Sequence, residues 1–368
     1  MLEAPRDHGP APSRPDANAT GAPLAFGAMT VRRLPLALLA LAALLVAACG
    51  GGSGDAGSPK PPPGVSQQDF KRELAEASTA RASDFPAVGG RTLQQVADTA
   101  EAGNQVGFAT SVLTPGRDRL AFGVIDRGNS FVYGKTAVYV ARTPEDKARG
   151  PYPAPADSLL TKPAFRSQNA AVESSPIAQI YAANVPFTKA GTYAVLVVTK
   201  QGSKLLGAPA QVDVTDRSRI PDVGERPPKV DTDTVASAAG NLAAIDTRRP
   251  FARELHEVSF KDVVGRKPVA LLFATPQLCQ SRVCGPVVDI ALQMKQKYGD
   301  RMAFIHQEVY EDNRVDKGLR APLRAFHLET EPWLFTVDRD GRIAARLEGS
   351  FGVKEFDQAI QAALRGAR

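Results

Sequence analysis

The sequence predicts a multi-domain protein in which an all-β sandwich is followed by an α/β domain. Two observations carry this. Between residues 105 and 214, short β-rich segments follow one another with Gly, Pro, Asn and Asp between them. From Phe251 onward, helical and strand-like patterns alternate. A third observation separates the parts: Gly and Pro crowd into residues 50–64, and Pro221, Pro227 and Pro228 punctuate the stretch before the last domain. The chain has 368 residues, 43% hydrophobic and 23% charged, which is an ordinary globular composition with room for two or three domains. The boundaries follow: 1–48 an N-terminal extension and export signal, 49–104 a tether with short helices, 105–216 the sandwich, 217–248 a linker, and 249–368 the α/β domain.

The formal net charge of +6 is interleaved along the chain without a basic block. A nucleic-acid footprint needs a basic stripe or patch, so no nucleic-acid partner is expected and the charge reads as a solvated surface.

The N-terminus reads as an address. Arg32 and Arg33 precede an apolar run over residues 34–48, small residues lead into Cys49, and Gly50, Gly51 and Gly52 follow. This is the layout of a secretory signal, and the run is short of the about 20 residues that span a bilayer. Residues 46–49, VAAC, resemble the bacterial lipobox. The resemblance implies cleavage before Cys49, a thioether to diacylglycerol, and attachment to the extracytoplasmic face of the cell membrane by lipid, palmitate included; two or more chains anchor stably where one is marginal. The alternative is an uncleaved N-terminal anchor, with Cys49 an ordinary residue. Met29 stands at the usual distance before the basic pair and is the expected start, with residues 1–28 upstream of it.

After the tether, residues 66–82 carry a weak helical period (Phe70, Leu74, Ala77), and residues 93–100 suggest a second short helix. The sandwich strands are expected at 120–125, 136–141, 180–187, 192–198 and 210–214, with residues 144–175 a long loop. Residues 190–195, AGTYAV, resemble the tyrosine corner of immunoglobulin-like sandwiches, with Tyr193 as the tyrosine. Val195 stands where antibody domains place a cysteine, so no disulfide pins the sandwich.

In the last domain a short helix is expected over 259–264. The continuous apolar run 268–274 reads as a strand buried on both faces. Then come an amphipathic helix over 287–298 ended by Gly299, a strand over 301–310, a helix over 319–326, a hairpin of 333–337 and 342–347 around Asp338–Gly341, and a helix over 353–364. This order resembles the thioredoxin fold. The resemblance covers residues 251–368 and is supported by two details: a cysteine pair just after the first buried strand, and the segment FHLETEPW (326–333), which matches the family's stretch before its last hairpin. It implies that Pro332 is the family's cis-proline, facing the active-site cysteine. The fold class is therefore an immunoglobulin-like sandwich followed by a thioredoxin-like domain.

Three cysteines are present: Cys49, Cys279 and Cys284. With Cys49 assigned to lipid, the other two form the candidate catalytic pair, and outside the cytosol they are expected to form a disulfide. A cysteine at a helix N-terminus is favoured as thiolate, because unpaired N–H groups and a partial positive charge face it. The family's motif has two residues between its cysteines; here LCQSRVCGPV has four. The offset from the strand assigns the attacking thiol to Cys279 and the resolving thiol to Cys284, whereas Cys284-Gly285-Pro286 locally copies the start of the family motif. Phe273 takes the place of the acidic residue that many thioredoxins bury before the motif, and Leu278 replaces the usual Trp. Proton transfer then falls to water, Glu308, His306 or Glu331, each expected at a surface or on an edge strand.

Two functions from different classes follow. The first is a lipid-anchored thiol–disulfide oxidoreductase acting on protein thiols or disulfides through Cys279, Cys284 and Pro332. The second is a binding scaffold in which Cys279–Cys284 is a structural bond. A third, narrower one is copper binding of the Sco type by the two cysteines with His306 or His327, His256 being further upstream. No nucleotide loop, no nucleophilic serine setting and no His/Glu cluster of zinc spacing is legible, and the Pro-and-Thr spacing of peroxiredoxins is absent around Thr275. No cofactor and no resident metal are therefore expected.

Overall fold

The structure, a computed structural model, describes residues 66–172, 175 and 177–366. Cys49, the export signal and the Gly/Pro tether lie outside the described residues. No helix among the described residues is long and apolar enough to cross a membrane.

Helix α1 (Gln67–Ala77) opens the described chain, with Ser66 Oγ accepting the Asp69 N–H as its N-cap. Helix α2 (Leu93–Ala97) is capped reciprocally by Thr92 and Gln95. Nine strands follow: β1 (Glu101–Ala102), β2 (Asn104–Phe108), β3 (Gly116–Asp126), β4 (Lys135–Ala141), β5 (Arg149–Pro153), β6 (Ala156–Ser158), β7 (Gln179–Phe187), β8 (Gly191–Gln201) and β9 (Lys204–Val214). They form two sheets, ordered β1-β9-β8-β4-β5 and β2-β3-β7-β6. Phe122, Val124, Tyr181 and Val185 of one sheet share a core with Val138, Val140, Val195 and Val197 of the other, so the sheets pack face to face. The Tyr193 hydroxyl donates to the Lys189 carbonyl at 3.0 Å and accepts the Lys189 N–H at 3.2 Å, tying the entry of β8 to the chain upstream.

Residues 144–175 are not the long loop expected of them, since they contain β5 and β6. Strand β5 carries Pro151 and Pro153 and lies at the sheet edge beside β4, where a missing N–H breaks no ladder. Prolines that read as breakers in sequence are tolerated by position.

The last domain contains α3 (Phe260–Val263), β10 (Val269–Phe273), α4 (Cys284–Tyr298), β11 (Ala303–Gln307), α5 (Ala321–Ala325), β12 (Trp333–Val337), β13 (Ile343–Glu348) and α6 (Val353–Arg365). This is the predicted order of elements. The sheet runs β11-β10-β12-β13, parallel between β10 and β11 and antiparallel elsewhere. All five residues of β10 are buried, as its unbroken apolar run requires. Helix α4 starts at Cys284, three residues before the predicted Val287. Gly285 and Pro286 read as breakers, but a proline in the first turn forfeits no intrahelical bond.

Residues 217–248 contain no strand or α-helix, yet they are not a free spacer. Ile220 and Val230 sit in one core with Phe260, Leu271 and Phe335. Thr232 exchanges hydrogen bonds with the start of α3: its N–H donates to Ser259 Oγ at 3.0 Å, and its Oγ1 accepts the Phe260 N–H at 2.9 Å.

The sandwich seats on the α/β domain through buried carboxylates. Glu348 accepts the N–H groups of Ser111 and Val112 at 2.9 and 3.0 Å. Asp157 accepts those of Lys354 and Glu355 at 3.2 and 2.7 Å, so a sandwich residue caps α6. Asp289 on α4 accepts the Ser167 N–H at 3.0 Å and the Arg248 Nε at 2.9 Å. Arg119 grips Glu355 bidentately at 2.7 and 2.8 Å and donates to the Glu348 and Ser350 carbonyls.

Backbone approaches are just as close. Gly349 has a φ of +70°, and a Cβ there would press into the Ala109 carbonyl across the interface. Gly349→Ala is expected to cost about 2–5 kcal/mol, from left-handed backbone strain plus the overlap. Gly202→Ala, at a φ of +58° with open space around it, carries only the strain, about 1–2 kcal/mol. Urea denaturation of the two variants checks the difference.

Candidate functional site

Strand β10 ends at Phe273, and the chain turns at once: the Thr275 carbonyl accepts the N–H groups of Leu278 and Cys279 at 3.3 and 3.1 Å. Arg282, at a φ of +59°, reverses the backbone before α4 begins. The N-cap of α4 is Val283, which has no side chain to satisfy the first free N–H groups of the helix. The Cys279 sulfur takes that place. It accepts hydrogen bonds from the Cys284 thiol and from the backbone N–H groups of Cys284 and Val283, and lies 3.2 Å from Ser281 Oγ.

Burial and hydrogen bonding divide the two thiols. The Cys284 thiol, first among several donors, holds Cys279 down at about 6 against the opposing effect of burial. Cys284 is pushed well above its ordinary value by complete burial, and then by giving its proton to the hydrogen bond with Cys279. The two motif registers are thereby reconciled. Cys279 is the acidic thiol at the helix start, while Cys284 is the first helical residue and carries the proton. Both are free thiols here, so the expected disulfide is not formed in this structure; Cys279 is 9% exposed and Cys284 is sealed.

The Glu331–Pro332 peptide is cis, as the sequence resemblance implied. Glu331 is pushed up to about 7, first by burial and then by the negative charge of Cys279, which places the loop before β12 within electrostatic reach of the Cys279 sulfur. Tyr310 is raised as well, by burial and then by Glu331 and the two cysteines.

Two of the candidate proton carriers are more deeply enclosed than expected. Phe273 occupies the aligned acid position and is fully buried in the core. Glu308 and His306 are both sealed from solvent rather than lying on an exposed edge. Strand β11 is an edge of its sheet, but residues 245–256 cover it. Glu308 is driven up to about 7 by burial, partly offset by the Thr247 N–H and hydroxyl, each 2.7 Å from Oε1. The same Thr247 hydroxyl accepts the Gln277 N–H at 3.2 Å, so a hydrogen-bonded path links Glu308 to the cysteine loop.

His306 does not turn to the sulfurs, and His327 is exposed. Among the described residues, the one grouping of three metal-donor side chains is Asp246, His256 and His306, which includes neither cysteine. Sequence reasoning missed Asp246 and Thr247, which it placed in a linker. Ser281, between the cysteines, was the legible signal it passed over.

A cleft of about 360 Å³ opens beside the pair. Ser281, Val283 and Glu331 line one side, and Phe108, Phe131 and Ile177 of the sandwich line the other. Asn169 closes the flank of the helix start: its Nδ2 donates to the Pro276 carbonyl at 2.6 Å, and a Cβ on Gly285 would come within 2.5 Å of its backbone oxygen.

No protein-family model and no curated protein matches the chain. Solved structures similar to it include a candidate thiol:disulfide interchange protein DsbE from Chlorobium tepidum, at 18% identity over 39% of this chain and 99% of that one, with a TM-score of 0.27. A thioredoxin-family thiol:disulfide interchange protein from the same organism matches at 15% identity over 40% of this chain and 99% of that one, with a TM-score of 0.27. The PKD domain of the human receptor SorCS2 matches at 16% identity over 45% and 98%, with a TM-score of 0.17. The chemistry is argued from this chain's own side chains.

The electrostatics predict a pH profile. Alkylation of Cys279 by iodoacetamide should rise with pH around a midpoint of about 6, against an ordinary thiol value of 9.0. Cys284→Ala removes the leading donor and should move that midpoint upward. Glu331→Gln should leave it nearly in place, since Glu331 is itself largely neutral below about 7. Stopped-flow alkylation with mass-spectrometric assignment of the modified thiol checks all three.

Proposed function

We propose that the chain is an extracytoplasmic thiol–disulfide oxidoreductase, with a thioredoxin-like domain carried beside an immunoglobulin-like sandwich and held to the membrane by lipid on Cys49. The observation that carries this is the division of labour in the pair. Cys279 sits in thiolate-favouring contacts at an uncapped helix start, and Cys284 supplies the proton behind it. A purely structural pair has no need of such asymmetry.

The reaction follows from the geometry. The Cys279 thiolate attacks one sulfur of a substrate disulfide, forming the Cys279–substrate bond and expelling the other substrate sulfur as a thiolate. That sulfur takes up a proton, for which Glu331, neutral below about 7, is the suitably poised donor. Cys284 then gives its proton to the Glu331 carboxylate just emptied, from which it can pass to the second leaving sulfur, and attacks the Cys279 sulfur. The Cys279–Cys284 disulfide forms, and the second substrate sulfur leaves and is protonated. Two electrons pass from the pair to the substrate, which is released as two thiols; run backwards, the same steps oxidise a dithiol. Protein thiols and disulfides are the fitting partners, since the cleft between the loop before β12 and the sandwich has apolar walls on one side and Glu331 on the other.

The burial of both sulfurs favours a second reading, a structural staple in a binding scaffold. A redox titration of the whole exported chain against dithiothreitol separates the two. An oxidoreductase is expected to equilibrate in the range of thioredoxin-like couples, about −120 to −270 mV, whereas a staple lies below about −300 mV. Cys284→Ser should trap mixed disulfides on Cys279, visible on non-reducing gels. A staple potential together with no trapped species sinks the oxidoreductase and leaves the scaffold. Palmitate labelling that disappears in Cys49→Ser tests the anchor separately.

A further inference from the structure

Beneath the cysteine loop lies a buried constellation that the thiol chemistry does not use. Asp246 follows the short turn Leu242–Ala244, His256 ends the turn Arg253–Leu255, and His306 stands in β11. All three are inaccessible to solvent. His256 Nε2 is 3.7 Å from Asp246 Oδ2, His306 Nδ1 is 3.9 Å from Asp246 Oδ1, and the two imidazole rings are 5.2 Å apart. These separations exceed hydrogen-bond length. Both nitrogens of His256 and Nδ1 of His306 have no hydrogen-bond partner, and an orphaned buried polar atom costs about 1–3 kcal/mol.

The protons sharpen the problem. His306 Nε2 lies 3.0 Å from the Ala274 carbonyl, which can only accept, so the ring proton belongs on Nε2. With that proton on Nε2, Nδ1 of the neutral ring bears a lone pair. That lone pair faces the Asp246 carboxyl across 3.9 Å. Two acceptors thus point at each other across a dry gap, with a second imidazole beside them. A single cation held among them would satisfy the carboxylate and both imidazoles at once.

We propose that Asp246, His256 and His306 form a structural zinc site. Two imidazole nitrogens and a carboxylate oxygen are a borderline donor set suited to Zn2+. Tetrahedral bonds of about 2.0–2.1 Å place donor atoms about 3.3 Å apart, and the three donor atoms, which lie within 4.8 Å of one another, would draw in toward the ion. The supporting contacts of a metal site already exist. Nε2 of His306 is held by Ala274, Asp246 Oδ1 accepts the Arg248 N–H at 2.8 Å, and Oδ2 accepts the Ala252 N–H at 2.6 Å. The nearby positive charge of Arg248 is answered by Asp289 at 2.9 Å. The ion would staple residues 246–256 to β11, next to the carbonyl of Ala274 from which the cysteine loop departs.

The test uses the tag-free full exported chain, stripped with a chelator and titrated with Zn2+ by calorimetry, with metal content measured by mass spectrometry. The expected result is one Zn2+ per chain at micromolar affinity or tighter, an upward shift of Tm, and binding unchanged in the Cys279→Ser/Cys284→Ser double variant. His256→Asn and Asp246→Asn should each weaken binding about 100-fold or more. Should those variants fail to fold, Co2+ bound to the unaltered chain decides: a tetrahedral visible spectrum without thiolate charge-transfer bands supports the site. A folded chain that takes up no zinc, zinc that survives His256→Asn, or zinc that departs with the cysteines overturns it.

Discussion

The seating of the sandwich on the first turns of α4 and α6 is the constraint on which the rest depends. Helix starts expose N–H groups that must find acceptors, and here a sandwich carboxylate serves one of them. Asp157 caps α6, while Asp289, in the first half of α4, reaches back to Ser167. Each charge is buried, and each is matched by backbone N–H groups or by an arginine. Breaking such a pair by removing one member leaves an uncompensated charge, so the two parts are held in one relative placement. Gly349 and Gly352 at the interface leave no space for a side chain.

That placement sets the chemistry of the cysteine pair. With the sandwich and residues 245–256 covering it, the pair is dry, and each hydrogen bond and each unpaired charge there has a larger effect than in water. The start of α4 is left without a capping side chain, and the Cys279 sulfur fills the role. The same dryness raises the acids nearby. Glu331 and Glu308 both reach about 7, mainly through burial, whereas the ordinary carboxyl value is 4.5. The loop before β12 brings Glu331 within electrostatic reach of Cys279, and Glu308, just past β11, is joined through Thr247 to the cysteine loop.

Much of the architecture was legible because the patterns were local. The five apolar residues of β10, the hairpin around Asp338–Gly341 and the alternation of β7 and β8 each announce themselves within a few positions. Tyr193 is likewise local, since its hydroxyl binds the backbone four residues upstream. The strands of residues 144–175 were not legible, because an edge position licenses prolines that a central strand forbids. The packed course of residues 217–248 was hidden for a similar reason: a segment without periodicity reads as a spacer until a surface is found for Ile220 and Val230.

The sequence by itself determined the order of elements in the last domain, the cysteine pair at a strand-to-helix junction, and the proline that precedes β12. Each is a matter of residue type and spacing along a few consecutive positions. Only the tertiary structure decided which thiol is acidic, which carboxyls hold protons near neutrality, and that Asp246, His256 and His306 meet. Those properties depend on burial and on charges brought together from distant parts of the chain, and spacing along a sequence does not encode the distance between side chains in a folded core.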